Sequence, residues 1–367
     1  MKKKLFICLV LTMLFALALA PTACAEPVTV NENDEFMAAV NDKYEKIEIL
    51  VNNEIILTKD CNIVGDLSIS GSGTIKLEVN TLHVYNKLTL NGDVKIVGPV
   101  RVSGDGALVL DGGSIELMDL YAELSGRPNA VTMHGGSLLM KSGSITGAST
   151  GASVLVDSTA EFTMKGGSIT GSTGVGIKGK FTLEDGSITG GNNGVQVDGG
   201  SFLMKGGSVT GGNNGVNNRA SFEMTGGSIT GGSSAYGSGL ENSGTAIING
   251  GRIYNNTGTN QGADIYNAAG ATLTLGKAAP GQTLSVCGHQ VDGWYEDKAD
   301  ARWSCNEECV DVQPWTYTGE MYLIAAHKPI VPVSSVPATA DDSNMPLWTG
   351  LLVAFAAAAV LTRKKKA

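Results

Sequence analysis

A ten-residue phrase that keeps returning constrains this chain more than any other feature. FTMKGGSITG occupies 162–171, FTLEDGSITG 181–190, FLMKGGSVTG 202–211 and FEMTGGSITG 222–231, with a looser copy, LLMKSGSITG, at 138–147. Weaker copies begin at Leu108 (LVLDGGSIEL) and Ala246 (AIINGGRIYN). Successive clear copies start at Leu138, Phe162, Phe181, Phe202 and Phe222, steps of 24, 19, 21 and 20 residues. A period of this size means stacked units, none of which can bury its own apolar face alone.

Within a copy the apolar residues alternate. Phe162 and Met164 point one way and Thr163 and Lys165 the other, which is strand periodicity. Gly166–Gly167 then punctuates, Ile169 is the next inward residue, and Gly171 closes a second short strand. A third apolar pair follows, Val175 and Ile177, repeated as Val195 and Val197 one unit later. Each unit thus holds three short strands joined by Gly, Asn and Ser corners, and nothing between 50 and 280 reads as a long amphipathic helix. Parallel strands ordinarily need a crossover helix. Three strands per turn with tight corners wind instead into a single parallel β-helix, each strand pairing with its counterpart one coil on. The 50 glycines of the 367 residues supply corners that need positive φ.

The pattern extends upstream through IEIL (47–50), LSIS (67–70), TIKLE (74–78) and KLTL (87–90), and downstream through ADIYN (263–267) and ATLTLG (271–276). The expected solenoid runs over roughly 45–280 in about ten coils, a rod on the order of 50 Å long at about 4.8 Å per coil. Its open ends need covers, because unpaired strand edges invite aggregation. At the N-terminal end Asn33 or Asp34 can cap a short helix whose Phe36, Met37 and Val40 recur at helical spacing and would lie over the first coil. The resulting division is a signal peptide at 1–25, an N-terminal cap at 26–45, the β-helix at 46–282, a C-terminal cap at 283–328, a Pro-rich linker at 329–344 and a hydrophobic anchor with a basic tail at 345–367.

The two ends carry an address. Lys2–Lys4, an apolar run from Leu5 to Ala20 and Ala23-Cys24-Ala25 make a secretory signal with cleavage expected after Ala25; Cys24 leaves open a lipoprotein cut before that cysteine. At the other end a spacer with Pro329, Pro332 and Pro337 leads to an apolar run from Leu347 to Thr362 and then Arg363-Lys364-Lys365-Lys366. That run is short for a spanning helix, Trp348 could anchor its outer end, and the terminal cations would stay on the cytoplasmic side. Removing Lys2–Lys4 changes the formal charge from −9 to −12, and a cut after Thr339, which takes Asp341, Asp342 and the four terminal cations, leaves −14. So acidic a rod is a poor partner for nucleic acid or anionic polymers. It is expected to be monomeric.

Candidate chemistry is sparse. The mature chain keeps Cys61, Cys287, Cys305 and Cys309, so no disulfide framework holds the solenoid, and Cys61 is expected as a small buried residue of an early coil. Cys287-Gly-His289 with Cys305-x-x-x-Cys309 could supply zinc ligands, but the spacing fits no standard finger. A disulfide of Cys305 with Cys309, or of Cys287 with Cys305, fits better, and free thiols stay open. Trp294, Trp303 and Trp315, with Tyr295, Tyr317 and Tyr322, cluster in 283–328 and make either a sugar-binding platform or the core of the cap, the cap being the simpler reading. Asp111, Asp157, Asp185 and Asp198 are scattered, as are Arg101, Arg127, Arg219, Arg252 and Arg302. The best candidate catalytic cluster is Asp111 and Glu116 beside the 117–134 insertion, with Arg127 and His134. Asn192–Asn193 and Asn213–Asn214 recur one coil apart and read as a stacked corner ladder. No cofactor, metal or catalytic residue is assigned, and specific function is expected at the irregular places: the 117–134 insertion, the 232–245 corner and the aromatic tail.

The GGSITG…GV motif with its helical lead-in and signal resembles the pectate-lyase-like right-handed β-helix repeat proteins of Firmicutes surfaces, especially those of gut Clostridia. The C-terminal order resembles a Gram-positive cell-wall sorting signal of the LPxTG type, with Val336-Pro337-Ala338-Thr339-Ala340 as the pentapeptide; Val replaces Leu and Ala replaces Gly. The resemblance implies right-handed coiling, an extracellular location, and a sortase that links Thr339 to the wall, or a single-span membrane anchor if the segment stays uncut. It leaves a non-enzymatic rod for adhesion to glycans or to host or other cells as the expected function. A polysaccharide lyase or hydrolase and a passive spacer are the alternatives.

Overall fold

The computed structural model describes residues 27–41, 46–125, 128–258, 262–275, 293–296, 316–317 and 321–326. The signal region, the sorting-like pentapeptide, the anchor, Arg127, Arg302, Cys287, His289, Cys305, Cys309, Trp303 and Trp315 lie outside them.

The described chain is an all-β parallel solenoid of about 11 coils, one more than the period suggests. Three rows of strands run along it. The first goes from Lys46–Val51 to Thr272–Leu275, the second from Glu54–Ile56 to Arg252–Ile253, and the third from Cys61–Ile63 to Ile265–Asn267. In two early coils one long strand serves both of the first two rows, Lys87–Val97 and Ala107–Glu116, with a register shift between Gly112 and Ser114 where the corner would be.

In-register stacking turns the sequence repeat into columns of like side chains. Leu67, Leu88, Leu108 and Leu138 continue into Phe162, Phe181, Phe202 and Phe222. The four phenyl rings stack with centroids 4.6, 5.0 and 5.1 Å apart and interplanar angles of 18°, 7° and 20°. All four are buried. Offset stacking of this kind adds about 0.5–1.5 kcal/mol per pair beyond area burial. The second row contributes a column of isoleucines, interrupted only by Val209. Cys61 is fully buried at the head of a third-row column continued by Leu82 and Val100, as expected of a small apolar residue.

Corners explain the paired glycines. Gly167 and Gly186 have φ of +87° and +105°, and a Cβ there would lie 2.7 Å from Met140 Cε and 2.6 Å from Met164 Cε, each one coil back. The inward methionine of one coil thus fills the space that the glycine of the next leaves open.

A second ladder was not anticipated. In the third row the inward column runs Val156, Ile177, Val197 and then Asn218, Asn242, Asn267. These three asparagines are completely buried. Asn218 Nδ2 donates to Asn242 Oδ1 (2.7 Å), and Asn242 Nδ2 donates to Asn267 Oδ1 (2.6 Å). Backbone carbonyls of Thr245 and Thr272 accept the spare amide hydrogens of Asn218 and Asn242. Buried amides are tolerable only when satisfied in this way. The expected corner ladder is only half realised. Asn193 and Asn214 are in register, but Asn193 Nδ2 donates to Gln196 Oε1 (3.1 Å) and Asn214 Nδ2 to the Gly237 carbonyl (2.8 Å).

Both ends change character. A helix, α1 (Asn33–Asn41), follows the edge strand Val28–Val30, which adds in parallel to Lys46–Val51, and sends Phe36 and Val40 into the core. Glu35 accepts the Asn31 backbone N–H (2.8 Å), so the acidic first turn closes the helix entry rather than an Asn33 or Asp34 side-chain cap. At the far end the parallel order gives way to antiparallel pairing. Met321–Ala326 adds to Ile265–Asn267 and carries Gly293–Glu296 on its other edge, while Thr316–Tyr317 adds to Thr272–Leu275. No described helix is long and apolar enough to cross a membrane.

Asn242→Ala should lower the urea midpoint, at a cost of about 1–3 kcal/mol for each buried partner left unsatisfied; a midpoint unchanged from wild type would show that the ladder contributes nothing. Burial pushes the Cys61 thiol up to about 12, with the Lys59 charge a smaller opposing effect. The Cys61 peptide should accordingly take up iodoacetamide only in denaturant, as read by mass spectrometry.

Candidate functional site

The sequence-level catalytic cluster does not assemble. Asp111 stands at the corner after the first row, where Lys141 Nζ of the next coil donates to its Oδ2 (2.7 Å). Glu116 projects from the second row and pairs with Lys95 of the coil before. His134 stands at the corner after the third row with Nδ1 2.8 Å from Asp157 Oδ2. Three different places on the coil therefore hold three separate polar pairs. The insertion between Glu116 and Val131 contains a short helix, α2 (Asp119–Ser125). Asp119 accepts the Ser149 backbone N–H of the next coil (2.6 Å), and that hydrogen bond holds its carboxyl below the usual range. Among the described residues no three His, Cys, Asp or Glu side chains group as metal ligands.

The scattered charges turn out to be ordered along the corners. After the first row Glu184 lies between Lys165 (3.5 Å) and Lys205 (3.9 Å), one coil away on either side. After the third row Asp157 lies between His134 and Lys178 (3.9 Å), and Arg219 Nη1 donates to Asp198 (2.9 Å). These pairs are exposed and each contributes at most about 1 kcal/mol. At the third-row corner Asp157, Lys178, Asp198 and Arg219 alternate in sign from coil to coil, which avoids the like-charge repulsion of a uniform column; at the first-row corner Lys141 and Lys165 stand on adjacent rungs, each beside a carboxylate on its other side.

Between the corners, the second row presents an uncharged lattice. In five successive coils the phrase S-I/V-T buries its middle residue and turns its serine and threonine outward. The serine column runs from Ser114 to Ser228, followed by Arg252, and the threonine column from Thr146 to Thr230, preceded by Glu116. Strand geometry sets the two columns about 7 Å apart and the rungs about 4.8 Å apart. The result is a flat, regular, two-column array of hydroxyls, exposed at Thr170, Ser187 and Thr189.

The third row is its opposite: the outward column changes identity from Gln196 to Asn217, Glu241 and Tyr266, before Tyr322 repeats the last. Asn217 Nδ2 donates to Glu241 Oε2 (2.9 Å). Tyr236 joins from the enlarged corner 231–239. Its ring centroid is 5.3 Å from that of Tyr266 and 5.9 Å from that of Tyr322, and the latter two are 5.1 Å apart. The enlarged corner is not loose. Gly232 N donates to Asn256 Oδ1 (3.1 Å), Ser234 N to Ser238 Oγ (2.8 Å), and Asn214 Nδ2 to the Gly237 carbonyl. Asn256 is oriented by buried Asp264, whose Oδ1 accepts its Nδ2 (2.7 Å). Burial raises the Glu241 carboxyl above its ordinary value, with nearby Arg219 opposing.

Of the aromatic tail, Tyr322 lies on this outer face, while its backbone strand covers the edge of the last coil, so one segment serves both readings. Sequence reasoning singled out the 232–245 corner but not Tyr236, Tyr266, Asn217 or Glu241. The usable signal was the middle position of the third-row triplets V-N-N, L-E-N and I-Y-N, which alternation places outside.

No protein-family model, curated protein or solved structure matches this chain.

The Glu241 shift has a sign. A carboxyl raised in the folded state contributes stability below its unfolded pKa and loses it as pH rises through the folded value. Glu241→Gln should therefore gain stability relative to wild type as pH is raised from the acid side of the ordinary glutamate range to neutrality. A stability difference independent of pH in parallel denaturation series would refute the raised value.

Proposed function

We propose that the protein is a non-enzymatic, surface-held β-helical rod that adheres to glycans through its regular faces. The observation that carries this reading is the serine–threonine lattice. Charge-free hydroxyls at fixed spacing over five coils suit a ligand that is itself repetitive and hydroxyl-rich, such as a polysaccharide surface. Each single hydroxyl contact is weak against water. A periodic ligand meets many of them at once, and the effective concentration of successive contacts raises avidity without any deep pocket. The acidic net charge favours neutral polymers over anionic ones.

The location is supported by the sequence: the signal ending at Ala25, and the sorting-like Val336-Pro337-Ala338-Thr339-Ala340 followed by an apolar run and basic tail. Through these the rod is held at its C-terminus, either as a sortase product joined through Thr339 or as a single-span membrane protein, with the α1 end farthest from the cell.

The lattice reading is checked by sedimentation with insoluble cellulose, chitin, starch granules and xylan. At least one should retain the protein, and Thr170→Lys/Thr189→Lys/Thr210→Lys, all at exposed or half-buried outward positions, should release it with the unfolding midpoint unchanged. Retention by none of the four, or equal retention of the triple variant, would sink the adhesive role of this face and favour a passive spacer.

A further inference from the structure

The third-row patch has a different character from the lattice, and it calls for a different ligand. The lattice is uniform, whereas the patch is a single place where three phenol rings, a carboxylate, a carboxamide and a guanidinium meet. We propose that Tyr236, Tyr266 and Tyr322, with Glu241 and Asn217, form a discrete subsite for one or two neutral sugar residues. The proposal rests on the glycan-binding reading but concerns another face of the coil, so the two can fail separately.

Three observations carry it. First, Tyr236 is 40% exposed although its ring contacts two other tyrosines, so the cluster keeps an open aromatic face. Such a face accepts the C–H edge of a pyranose ring. Secondly, Glu241 stands one rung from Tyr266, half-buried, with its Oε2 already fixed by Asn217. Asn217 is itself buried and spends its Nδ2 on this carboxylate, so it positions Glu241, whose carboxylate beside an aromatic surface can accept from sugar hydroxyls as the placed polar group that fixes orientation in a ligand site. Thirdly, the rigid corner supports Tyr236. The chain Asp264–Asn256–Gly232 and the Asn214–Gly237 bond fix a nine-residue loop, whereas the coil just before it turns the same corner, from Thr210 to Val216, in fewer residues. Sites assembled on supported elements lose less entropy on binding.

Electrostatics choose the sugar class. Arg219 is engaged by Asp198 (2.9 Å), and among the described residues the Glu241 carboxylate is the other charge at the patch. A uronate or sialate would meet net repulsion, whereas a neutral hexose or pentose would not.

Isothermal titration of the full chain with cellohexaose, xylohexaose, mannohexaose and hexagalacturonate decides the matter. At least one neutral hexaose should bind saturably and hexagalacturonate should not. Tyr236→Ala should weaken binding at least about fivefold. Glu241→Gln, an isosteric change that keeps one acceptor, should weaken it less. The Thr170/Thr189/Thr210 lysine variant should bind the hexaose as wild type does, which separates this subsite from the lattice. The proposal is overturned if no neutral hexaose binds, if hexagalacturonate binds as well as the best neutral sugar, or if both Tyr236→Ala and Glu241→Gln bind like wild type.

Discussion

Everything in this protein depends on the parallel backbone ladder between successive coils. Each strand donates and accepts through its neighbours one coil before and one coil after, so no coil is complete alone and only the two ends have orphan edges. The ladder also enforces register, and register makes the chemistry of one position the chemistry of a whole column. A phenylalanine at one site becomes a stack of four rings, a lysine meets a carboxylate one coil away, and a serine becomes a lattice. The protein therefore acts through columns more than through single residues.

The interior shows how strictly the columns must agree. Phenylalanines stack on phenylalanines because a smaller residue between two rings would leave a void of the kind that interiors do not tolerate. The methionines fit because the corner glycine one coil on carries no Cβ. The asparagine column is the polar counterpart. Asn242 is acceptable in an otherwise aliphatic interior only because Asn218 and Asn267 stand above and below it, each amide meeting the next. It lies in the last coils, where the column begins to approach the antiparallel cover, and its directional hydrogen bonds fix register there more sharply than aliphatic packing does.

Outside, the same rule separates two kinds of surface. Columns that repeat are broad and unspecific: the hydroxyl lattice and the charged corners. The column that varies, Gln196 to Tyr322, concentrates unlike groups in one place, as recognition of a single ligand requires. The enlarged 231–239 corner adds Tyr236 to that place. It resembles a graft on the solenoid: the row before it and the row after it keep perfect register, and the extra residues are tied down by Asn256 and Asp264 without disturbing either.

The sequence by itself determined the solenoid, its three rows, and which apolar residues face inward, but not the buried asparagine column. The period, the alternation at Phe162 and Met164 and the glycine corners are local signals, and in a solenoid the contacts they imply are to the adjacent repeat. It likewise placed Cys61 inside and put Phe36 and Val40 on the inner face of a lead-in helix. The tertiary structure decided what stands beside what on the outside. Unequal repeat lengths, 24 and then 19 residues in succession, hide which outward side chains share a rung, so Asp111 and His134 seemed close in sequence yet occupy different edges. Tyr322 reaches Tyr266 only because its strand returns antiparallel across the last coil, a pairing that no repeat announces. The interior was legible because burial repeats with the strand, whereas the surface became legible only once hydrogen-bond register had set the coils against one another.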